Sequence, residues 1–517
     1  MALKKLPIGI QSFKQLIEQD CVYVDKTELI HRLITDGGTY FLSRPRRFGK
    51  SLLISTLKEI FLGNKELFKD TKIYDNRDWS VKYPVIHLSF AAIDYAGMGL
   101  DKALEHELKL IAKSFNIIFL EQNYKLMFKE LIEQIKEKHG KVVILIDEYD
   151  KPIIDYLEFD KLHQAKINQA VMRQFYSVLK DAGENLRFLF IAGVSKFAKV
   201  SIFSDLNHLN DISLDKNYAT LTGYTQQELE DNFKDYIESA CVSMDIEKEL
   251  LLSNMREWYN GFSWDGKHTV YNPFGILNFF AKGAFRNYWF ASGTPTFLLA
   301  QMKKYTRFDF ENIRTTDQAL DKSDLDNLGL EALLFQTGYL TIKKLDILTG
   351  DIVLDYPNKE VRDSLYAYLI DGLTQTAGRQ TSGVTVQDMA AAFKAGNLES
   401  IKDIINVLLS DLPYNTFDKQ TEGLYHGLIH ILFKYLGVYI RSEVHTHRGR
   451  LDSIVETPTD VFIFEFKFNK TPEIALAQIR NKNYAQPYRS SGKKITGIGV
   501  NFDTNERAIT GWCEEIQ

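Results

Sequence analysis

The sequence predicts an α/β protein with a parallel sheet in its N-terminal part, a helical middle region and a smaller α/β domain at its C-terminal end. Apolar segments alternate with amphipathic segments up to about residue 215, and the segments that follow are helical and aromatic. A β-branched and aromatic run, Val461–Phe468, indicates a buried strand in the last fifth of the chain. For 517 residues we expect three domains, at 1–215, 216–410 and 411–517.

Four apolar segments of the N-terminal part are candidate strands, and amphipathic segments such as Leu100–Phe115 separate them. The candidate strands are Thr39–Ser43, Val85–Ser89, Val142–Asp147 and Phe188–Val194. This alternation predicts a parallel sheet with helices on both faces. Because ligands of such sheets bind at the carboxyl ends of the strands, we expect the functional residues at that edge.

A phosphate-binding loop is predicted directly after the first candidate strand, where the sequence runs RPRRFGKS. Gly49, Lys50 and Ser51 open a helical segment. The N–H groups of such a helix start hold phosphates, the lysine reaches their oxygens and the serine binds Mg²⁺. The usual motif begins with glycine, and Arg44 stands at that position. Two further cations of the loop lie near the phosphates, Arg46 and Arg47.

An acidic pair ends the all-apolar strand of KVVILIDEYD. Asp147 is the expected Mg²⁺ ligand, and Glu148 is expected to orient the attacking water. Ser195 follows the next candidate strand, and two interpretations of it stay open. It is either a sensor that hydrogen-bonds the γ-phosphate or water, or an ordinary helix N-cap.

The middle region contains a capped helix and a candidate strand pair. Thr225, followed three residues later by Glu228, predicts a helix start. Leu333–Lys343 and Asp351–Tyr356 resemble paired strands, and the helix KEVRDSLYAYLI follows them, which predicts a winged-helix-like piece. Gly378–Gly383 predicts a flexible connection before the last domain.

A constellation of two carboxylates and one lysine lies in the C-terminal part. Glu465 and Lys467 are two apart on a predicted strand and therefore share one of its faces. The segment His445–Val455 is a candidate preceding strand, and a hairpin would bring Asp452 beside Glu465. Such a group suits Mg²⁺ and a water that attacks a phosphodiester. An exposed strand with an ordinary Glu–Lys pair is the structural alternative.

Four histidines offer a second, zinc-binding hypothesis for the C-terminal part. His426 and His430 are four apart on a predicted helix, and His445 and His447 share a strand face. No cysteine or carboxylate completes a familiar zinc spacing. We therefore favour partly exposed histidines near the path of a phosphate backbone.

The sequence resembles an AAA-ATPase-like prokaryotic family that carries a C-terminal PD-(D/E)XK nuclease domain. The motifs that carry this resemblance are RPRRFGKS, IDEYD, GVSKF, YNGF, VYNPF and FQTGYL, with GRLD and EFK near the end. The resemblance covers essentially the whole chain. It implies a P-loop AAA-type parallel sheet with a helical lid, the helical and winged-helix-like middle region, and an α/β PD-(D/E)XK domain. Family members carry this arginine-rich loop without the first glycine.

The resemblance also implies roles for individual residues. Asp452 and Glu465 would be metal ligands, Lys467 would orient the nucleophilic water or stabilise charge, and Gln478 would support the site from a helix. Three further matches to the family patterns are Glu422, Tyr484 and the early motif Asp25-Lys26-Thr27. The early motif either lies near the nucleotide or forms a turn with a helix cap.

From the composition we expect a cytoplasmic protein that does not enter membranes. Three scattered cysteines form no CxxC, and neither an apolar signal core nor an uncharged run of 18 apolar residues occurs. The net charge is −5, but residues 441–494 hold ten Lys/Arg and six Asp/Glu. This local excess suits a phosphate backbone, although a solvated mixed surface explains any single one of these residues equally well.

The sequence thus predicts an ATP-binding and ATP-hydrolysing module that drives or gates a Mg²⁺-dependent nuclease, with Mn²⁺ as an alternative metal at the nuclease site. We expect nucleic acid as the partner and favour DNA over RNA. Whether the protein forms a homo-oligomer is left open. Two other classes of function remain. The first is an ATP-controlled switch or scaffold that holds nucleic acid or protein partners without cleavage, and the second is an ATPase motor that forms rings.

Overall fold

The computed structural model describes residues 3–196, 208–291, 310–321, 327–374, 382–410, 421–437, 441–447, 450–503 and 508–517, together with positions 202–203, 206, 302, 323–324 and 506. The chain divides into two compact units. The first consists of residues 1–297 and 311–361, and the second of residues 298–310 and 362–517. None of the helices in the described part of the chain has the length and apolar character needed to cross a bilayer.

The first unit is built on a five-stranded sheet of parallel strands. These are β1 (Gly38–Ser43), β2 (Val85–Ser89), β3 (Val142–Asp147), β4 (Leu186–Gly193) and β5 (Leu209–Asp211). Their order is β2-β3-β4-β1-β5, and all of the neighbouring pairs are parallel. Every residue of β3 is buried, as its unbroken apolar sequence predicts for a strand covered on both faces. The predicted parallel α/β sheet is confirmed.

Helices surround this sheet and continue into the region after it. They are α1 (Phe13–Glu18), α2 (Thr27–Asp36), α3 (Lys50–Phe61), α4 (Tyr95–Met98), α5 (Leu100–Ser114), α6 (Tyr124–His139), α7 (Lys151–Ile154), α8 (Leu162–Asp181), α9 (Gln226–Asn232), α10 (Lys234–Met244), α11 (Lys248–Tyr259), α12 (Pro273–Lys282), α13 (Tyr288–Ala291), α14 (Asp317–Asp321) and α15 (Leu330–Thr337). Leu53 and Leu57 of α3 share one apolar cluster with the sheet residues Val143, Leu145 and Phe190. This packing fixes the start of α3 at the carboxyl edge of the strands.

Short antiparallel strands complete the first unit. They are β6 (Ile313–Thr316), β7 (Ser323–Asp324), β8 (Asn327–Leu328), β9 (Thr341–Leu345) and β10 (Asp351–Asp355), in sheets of order β6-β10-β9 and β7-β8. The predicted strand Leu333–Lys343 is wrong in its first half, which is helix α15. Leu330, Leu333 and Leu334 are buried on that helix, and Gly338 ends it with a left-handed φ of 91°. Helix α16 (Lys359–Thr374) follows the β9–β10 hairpin, as predicted.

The second unit contains a five-stranded mixed sheet. Its elements beyond α16 are α17 (Ser382–Lys394), α18 (Leu398–Ser410), α19 (Thr421–Leu436), β11 (Arg441–His447), β12 (Arg450–Glu456), β13 (Asp460–Phe468), α20 (Pro472–Lys482), β14 (Lys494–Asp503) and β15 (Ala508–Ile516). The strands follow in chain order, and only the β13–β14 pair is parallel, joined by α20 as crossover helix. Most of the predicted connection Gly378–Gly383 and the predicted domain start near Leu412 lie outside the described residues.

The two faces of β13 differ in what covers them. Phe464 packs against Phe393 of α17 and Phe433 of α19, with ring centroids 5.8 and 5.2 Å apart. On the opposite face, Val461 and Ile463 share an apolar cluster with residues of α20. Since side chains alternate along a strand, Glu465 and Lys467 belong to the face that α20 covers.

Candidate active sites

The loop between β1 and α3 is closed in on itself by a lysine. Lys50 is 7% exposed, and its Nζ donates hydrogen bonds to the carbonyl oxygens of Arg44 at 2.8 Å and Pro45 at 2.9 Å. Gly49 precedes the helix with a left-handed φ of 86°, a conformation that glycine adopts without cost. The first N–H groups of α3, which have no partner within the helix, therefore open onto the loop.

Arg44, which replaces the usual first glycine, is a structural residue of this loop. Its side chain is fully buried, and its guanidinium donates to the carbonyl oxygens of Ser43 and Ser213, both at 2.8 Å, and of Tyr218 at 3.3 Å. It lies over the ring of Trp264 at 3.9 Å. Burial lowers the pKa of Arg44 to about 9. The arginine thus joins the loop to later parts of the first unit.

The acidic pair lies at the carboxyl edge of the sheet, as predicted from the sequence. Asp147 is 5% exposed, and its Oδ1 accepts a hydrogen bond from the N–H of Glu148 at 2.9 Å. Glu148 has a left-handed φ of 51°, which is uncommon for a residue with a side chain and occurs often at functional sites. Burial and the neighbouring Asp147 raise the pKa of the Glu148 carboxyl, while Lys50 opposes this shift.

Asp150 is a further acidic residue of this edge that the sequence analysis did not single out. It is buried, and it accepts hydrogen bonds from the Ser195 N–H and hydroxyl, both at 2.6 Å, and from the Val194 N–H at 3.1 Å. Burial raises the pKa of Asp150. The Ser195 hydroxyl is thus engaged by Asp150, and residues 197–201, where a capped helix would run, lie outside the described residues. The word IDEYD contained the signal, because its second aspartate follows the same buried strand.

A cavity of about 480 Å³ collects most of the predicted nucleotide-site residues. The residues predicted from the sequence that line it are Arg46, Arg47, Gly49, Lys50, Ser51 and Glu148. Asp147 and Ser195 are not among its lining residues, but Glu148 and Asp150, which contact them, are. The opposite wall is apolar and comes from two distant parts of the sequence, Pro7, Ile10, Tyr224, Pro273, Phe274 and Leu277. Sequence reasoning did not place that wall at the site.

The early motif Asp25-Lys26-Thr27 does not line this cavity. Asp25 accepts hydrogen bonds from the N–H groups of Thr27 and Lys72, both at 2.8 Å, so it holds the first residue of α2 and a second segment. Lys26 Nζ lies 2.6 Å from Glu228 Oε1. Glu228 and Thr225 form the predicted capping box of α9. The interpretation as a turn with a cap fits these contacts, and the motif ties the N-terminal segment to the start of α9.

The second site lies on β13 and α20 in the C-terminal unit. Glu465 has no exposed surface, and Lys467 Nζ is hydrogen-bonded to Glu465 Oε1 and, at 2.9 Å, to Gln478 Oε1. Lys467 therefore contacts two of the other polar side chains that the sequence predicts for this site. Burying the carboxylate of an ion pair costs free energy unless further groups stabilise it. This cost indicates a specialised role for the pair.

The backbone places Asp452 directly opposite Glu465. In the β12–β13 ladder the Cα partner of Asp452 is Glu465, as the predicted hairpin requires. Directly opposed positions of an antiparallel pair share one face of the sheet. On the other side of Glu465, its register partner on β14 is Gly499. Gly499 lies against the start of α20, since a Cβ added to it would be 2.2 Å from the Pro472 carbonyl oxygen. Glycine is needed there for α20 to reach the site.

Few of the remaining predicted positions of this unit have described side chains. Tyr484 packs beside the apolar cluster of α20 and β13. His430 is 5% exposed, so the prediction of a partly exposed histidine is wrong at this position. The side chains of Glu422, His426, His445 and His447 lie outside the described residues, so the zinc hypothesis stays untested.

Comparison with known proteins gives the same division of the chain. Residues 7–203 match the AAA-ATPase-like family, described as a predicted AAA-ATPase, and residues 420–512 match the PD-(D/E)XK nuclease superfamily. The chain is 37% identical over 529 residues to the uncharacterised protein in the vnfD 5′ region of Azotobacter chroococcum mcd 1, covering 100% of this chain and 99% of the relative. The chain belongs to the AAA-ATPase-like family that carries a C-terminal PD-(D/E)XK domain.

The residues that the sequence predicts for each site fall within the matched domains. The loop residues and Glu148 belong to the AAA-ATPase-like match, and Glu465, Lys467 and Gln478 belong to the PD-(D/E)XK match. The resemblance read from the sequence is therefore confirmed at the level of the family. The boundaries at residues 215 and 410, and the roles of the individual site residues, stay predictions.

Proposed function

We propose that the protein hydrolyses ATP in its AAA-ATPase-like domain and cleaves phosphodiester bonds of nucleic acid, DNA before RNA, in its PD-(D/E)XK domain. The observation that carries the first activity is the cavity lined jointly by Lys50, Ser51 and Glu148. The contact of Lys467 with Glu465 and Gln478 supports the second. Both activities act on phosphate groups, and both arrangements set a lysine beside carboxylates.

The donor set beside the cavity fits Mg²⁺. The Ser51 hydroxyl makes no hydrogen bond to any described residue. Among the described residues, Asp147 accepts a hydrogen bond from Glu148 alone, at Oδ1. A serine hydroxyl and a carboxylate are the hard oxygen ligands that Mg²⁺ prefers. Bound Mg²⁺ would neutralise negative charge on the phosphates of the nucleotide.

Lys50 would exchange its partners when the nucleotide binds. Its ammonium now donates to two loop carbonyls, and phosphate oxygens would take their place. Burial lowers the pKa of Lys50, while the carboxylates of Asp147, Asp150 and Glu148 act in the opposite direction. The lysine thus stays close to compensating negative charge before the nucleotide arrives.

Glu148 would orient the water that attacks the γ-phosphate. It lines the cavity next to Lys50 and Ser51, and its raised pKa makes it a stronger base than an exposed glutamate. The apolar wall formed by Ile10, Tyr224 and neighbouring residues would hold the base of the nucleotide.

In the nuclease domain we propose that Asp452 and Glu465 hold Mg²⁺, with Mn²⁺ as an alternative. The direct opposition of these two positions across β12 and β13 supports this assignment. Two carboxylates form a hard oxygen donor set of the kind that Mg²⁺ prefers. Bound metal would stabilise the charge that builds on the phosphodiester oxygens.

Lys467 would orient the attacking water and offset negative charge in the transition state. Its side chain is 12% exposed and its ammonium is held by acceptors on two elements, so few orientations are open to it. Gln478 would keep the lysine aligned from α20. These contacts would hold the protein groups in place before the water is activated. Little rearrangement would then be needed during the reaction.

The proposal is tested on purified full-length protein with Mg²⁺ or Mn²⁺, end-labelled DNA and RNA, and ATP present or absent. Metal-dependent cleavage by the wild type that Asp452→Ala loses, together with ATP hydrolysis that Lys50→Ala loses, is the expected result. ATP hydrolysis without cleavage of any substrate would contradict the nuclease and favour an ATP-controlled switch or scaffold. If Lys50→Ala left cleavage and its response to ATP unchanged, the two activities would not be coupled.

A further inference from the structure

The loop from Arg44 to Gly49 is contacted by aromatic residues from much later in the first unit. Phe48 meets the rings of Phe262 and Trp264 edge-on, with centroids 4.8 and 5.5 Å apart. Trp289 donates its indole N–H to the Arg46 carbonyl oxygen at 3.0 Å. The loop is therefore held in place from outside the matched AAA-ATPase-like segment.

The bond from Trp289 fixes the plane of one peptide group. All of the described peptide bonds are trans, so the carbonyl of Arg46 and the N–H of Arg47 point in opposite directions. Holding the carbonyl on the side of Trp289 directs the N–H of Arg47 away from it. Arg47 has a left-handed φ of 65° and lines the cavity, and its N–H makes no hydrogen bond to a described residue. This N–H is a donor that an anion in the cavity can use.

Trp289 is itself held on two sides. Its backbone N–H donates to Glu360 Oε1 at 2.6 Å, and Glu360 is 1% exposed at the start of α16. Its ring packs against Phe262 and Tyr339, with centroids 6.0 and 5.5 Å away. A side chain fixed at both its backbone and its ring keeps its N–H in one place.

We infer that Trp289 is a positioning residue of the nucleotide site, which orients the peptide between Arg46 and Arg47 so that the Arg47 N–H donates to a phosphate oxygen. Glu360 keeps Trp289 in position. The inference rests on the proposed binding of ATP in this cavity. Glu360 lies in the first turn of α16, within the first unit, as the loop does.

Trp289→Phe tests the inference because it removes the donor and keeps an aromatic ring. The matched control is Trp79→Phe, since the Trp79 indole N–H also donates to a backbone oxygen, that of Tyr74 at 2.8 Å, but away from the loop. We expect Trp289→Phe to bind ATP about three- to tenfold more weakly, the usual effect of one lost hydrogen bond. KM for ATP should rise by the same factor with kcat retained, because ground state and transition state lose the bond equally.

Two further measurements separate positioning from general stability. ATP should change the tryptophan fluorescence of the wild type and of Trp79→Phe, and this change should shrink in Trp289→Phe. Glu360→Gln keeps an oxygen that accepts from Trp289 and should bind ATP as the wild type does, whereas Glu360→Leu should weaken binding as Trp289→Phe does.

Equal ATP affinity of Trp289→Phe and Trp79→Phe would overturn the inference while leaving the proposed ATPase intact. Where Trp289→Phe does not fold, equal affinity of the Glu360→Gln and Glu360→Leu proteins would overturn it. A wild-type protein that binds no ATP would overturn the proposed function, and the inference with it.

Discussion

Lys467 on β13 and Gln478 on α20 are joined by a hydrogen bond of 2.9 Å from the lysine ammonium to the glutamine side-chain oxygen. The same ammonium contacts Glu465, which has no exposed surface. Lys467 thus links strand β13 to the crossover helix α20. It is the one cation of the cluster that it forms with Glu465 and Gln478. This hydrogen bond explains why α20 carries a glutamine at a position that faces the sheet.

We predict that Lys467→Met lowers cleavage by about 10²-fold or more, because it removes the one cation of the cluster, which is proposed to orient the water and offset charge. Gln478→Ala should lower it about 10- to 100-fold, as is typical for outer partners of metal-site residues. Initial cleavage rates at saturating Mg²⁺ measure both effects. Gln478→Ala activity equal to that of the wild type would show that the glutamine only fills space.

Lys50 and Glu148 should separate binding from hydrolysis. Lys50→Ala removes the cation expected to contact the phosphates and should weaken ATP binding at least tenfold. Glu148→Gln should bind ATP with near wild-type affinity but hydrolyse it about 10²- to 10⁴-fold more slowly. Titration calorimetry and phosphate release measure the two quantities. Equal loss of binding in both variants would argue against the role of Glu148 in orienting water.

The rate of hydrolysis should also depend on pH through Glu148. Burial and Asp147 raise the pKa of this carboxyl, so the ionised form that orients water is populated only above the usual range of a glutamate. Hydrolysis by the wild type should therefore rise as the pH increases through that raised pKa. A rate that stays constant as the pH rises through and above the usual range of a glutamate, with ATP saturating, would contradict this role.

Arg44→Gly, which would restore the usual first residue of the loop motif, should destabilise the protein. The substitution leaves the carbonyl oxygens of Ser213 and Tyr218 without their buried donor and removes the contact with Trp264. We expect a loss on the order of 3–5 kcal/mol in the free energy of unfolding of the first unit. Arg47→Gly, at an exposed position with a φ of 65°, is the matched control and should cost less than about 1 kcal/mol. Equal losses, measured by denaturant unfolding, would contradict the structural role of Arg44.

Glu360 should make stability depend on pH. Burial raises the pKa of this carboxyl from 4.5 to about 8, so the folded protein holds the proton more tightly than the unfolded chain does. Its contribution to stability is therefore full below about pH 4.5 and is lost as the pH rises towards 8. Relative to Glu360→Gln, the wild type should lose up to a few kcal/mol of stability over this range. A difference in Tm between the two proteins that stays constant with pH would contradict the prediction.

The sequence predicted the strands because their apolar character is continuous. The bounds of β2 and β3 agree with the predicted ones, and the hairpin between β12 and β13 pairs Asp452 with Glu465 as expected. The helix at Leu330–Thr337 was missed, since a short apolar run fits a buried helix as well as a strand. Gly338 was the available signal for its end.

Short sequence motifs predicted the chemistry of both sites. They did not predict the residues that surround and position the site residues. Lys50, Glu148 and Lys467 stand in recognisable words, so their neighbourhood could be predicted. The bond from Trp289 to Arg46 spans 243 positions, and that from Asp150 to Ser195 spans 45 positions. Contacts between distant positions depend on tertiary packing, which no local pattern encodes.

The central claim is that the carboxylate of Glu465 serves metal-dependent cleavage and not only the packing of the sheet. The most direct measurement compares Glu465→Gln with Glu456→Gln on end-labelled DNA in Mg²⁺, because Glu456 pairs with Lys493 in the same sheet at 2.8 Å. We predict that Glu465→Gln abolishes cleavage while it keeps the wild-type Tm within a few degrees, and that Glu456→Gln cleaves as the wild type does. Equal cleavage by both variants, or wild-type cleavage that persists after chelation of the metal, would contradict the account.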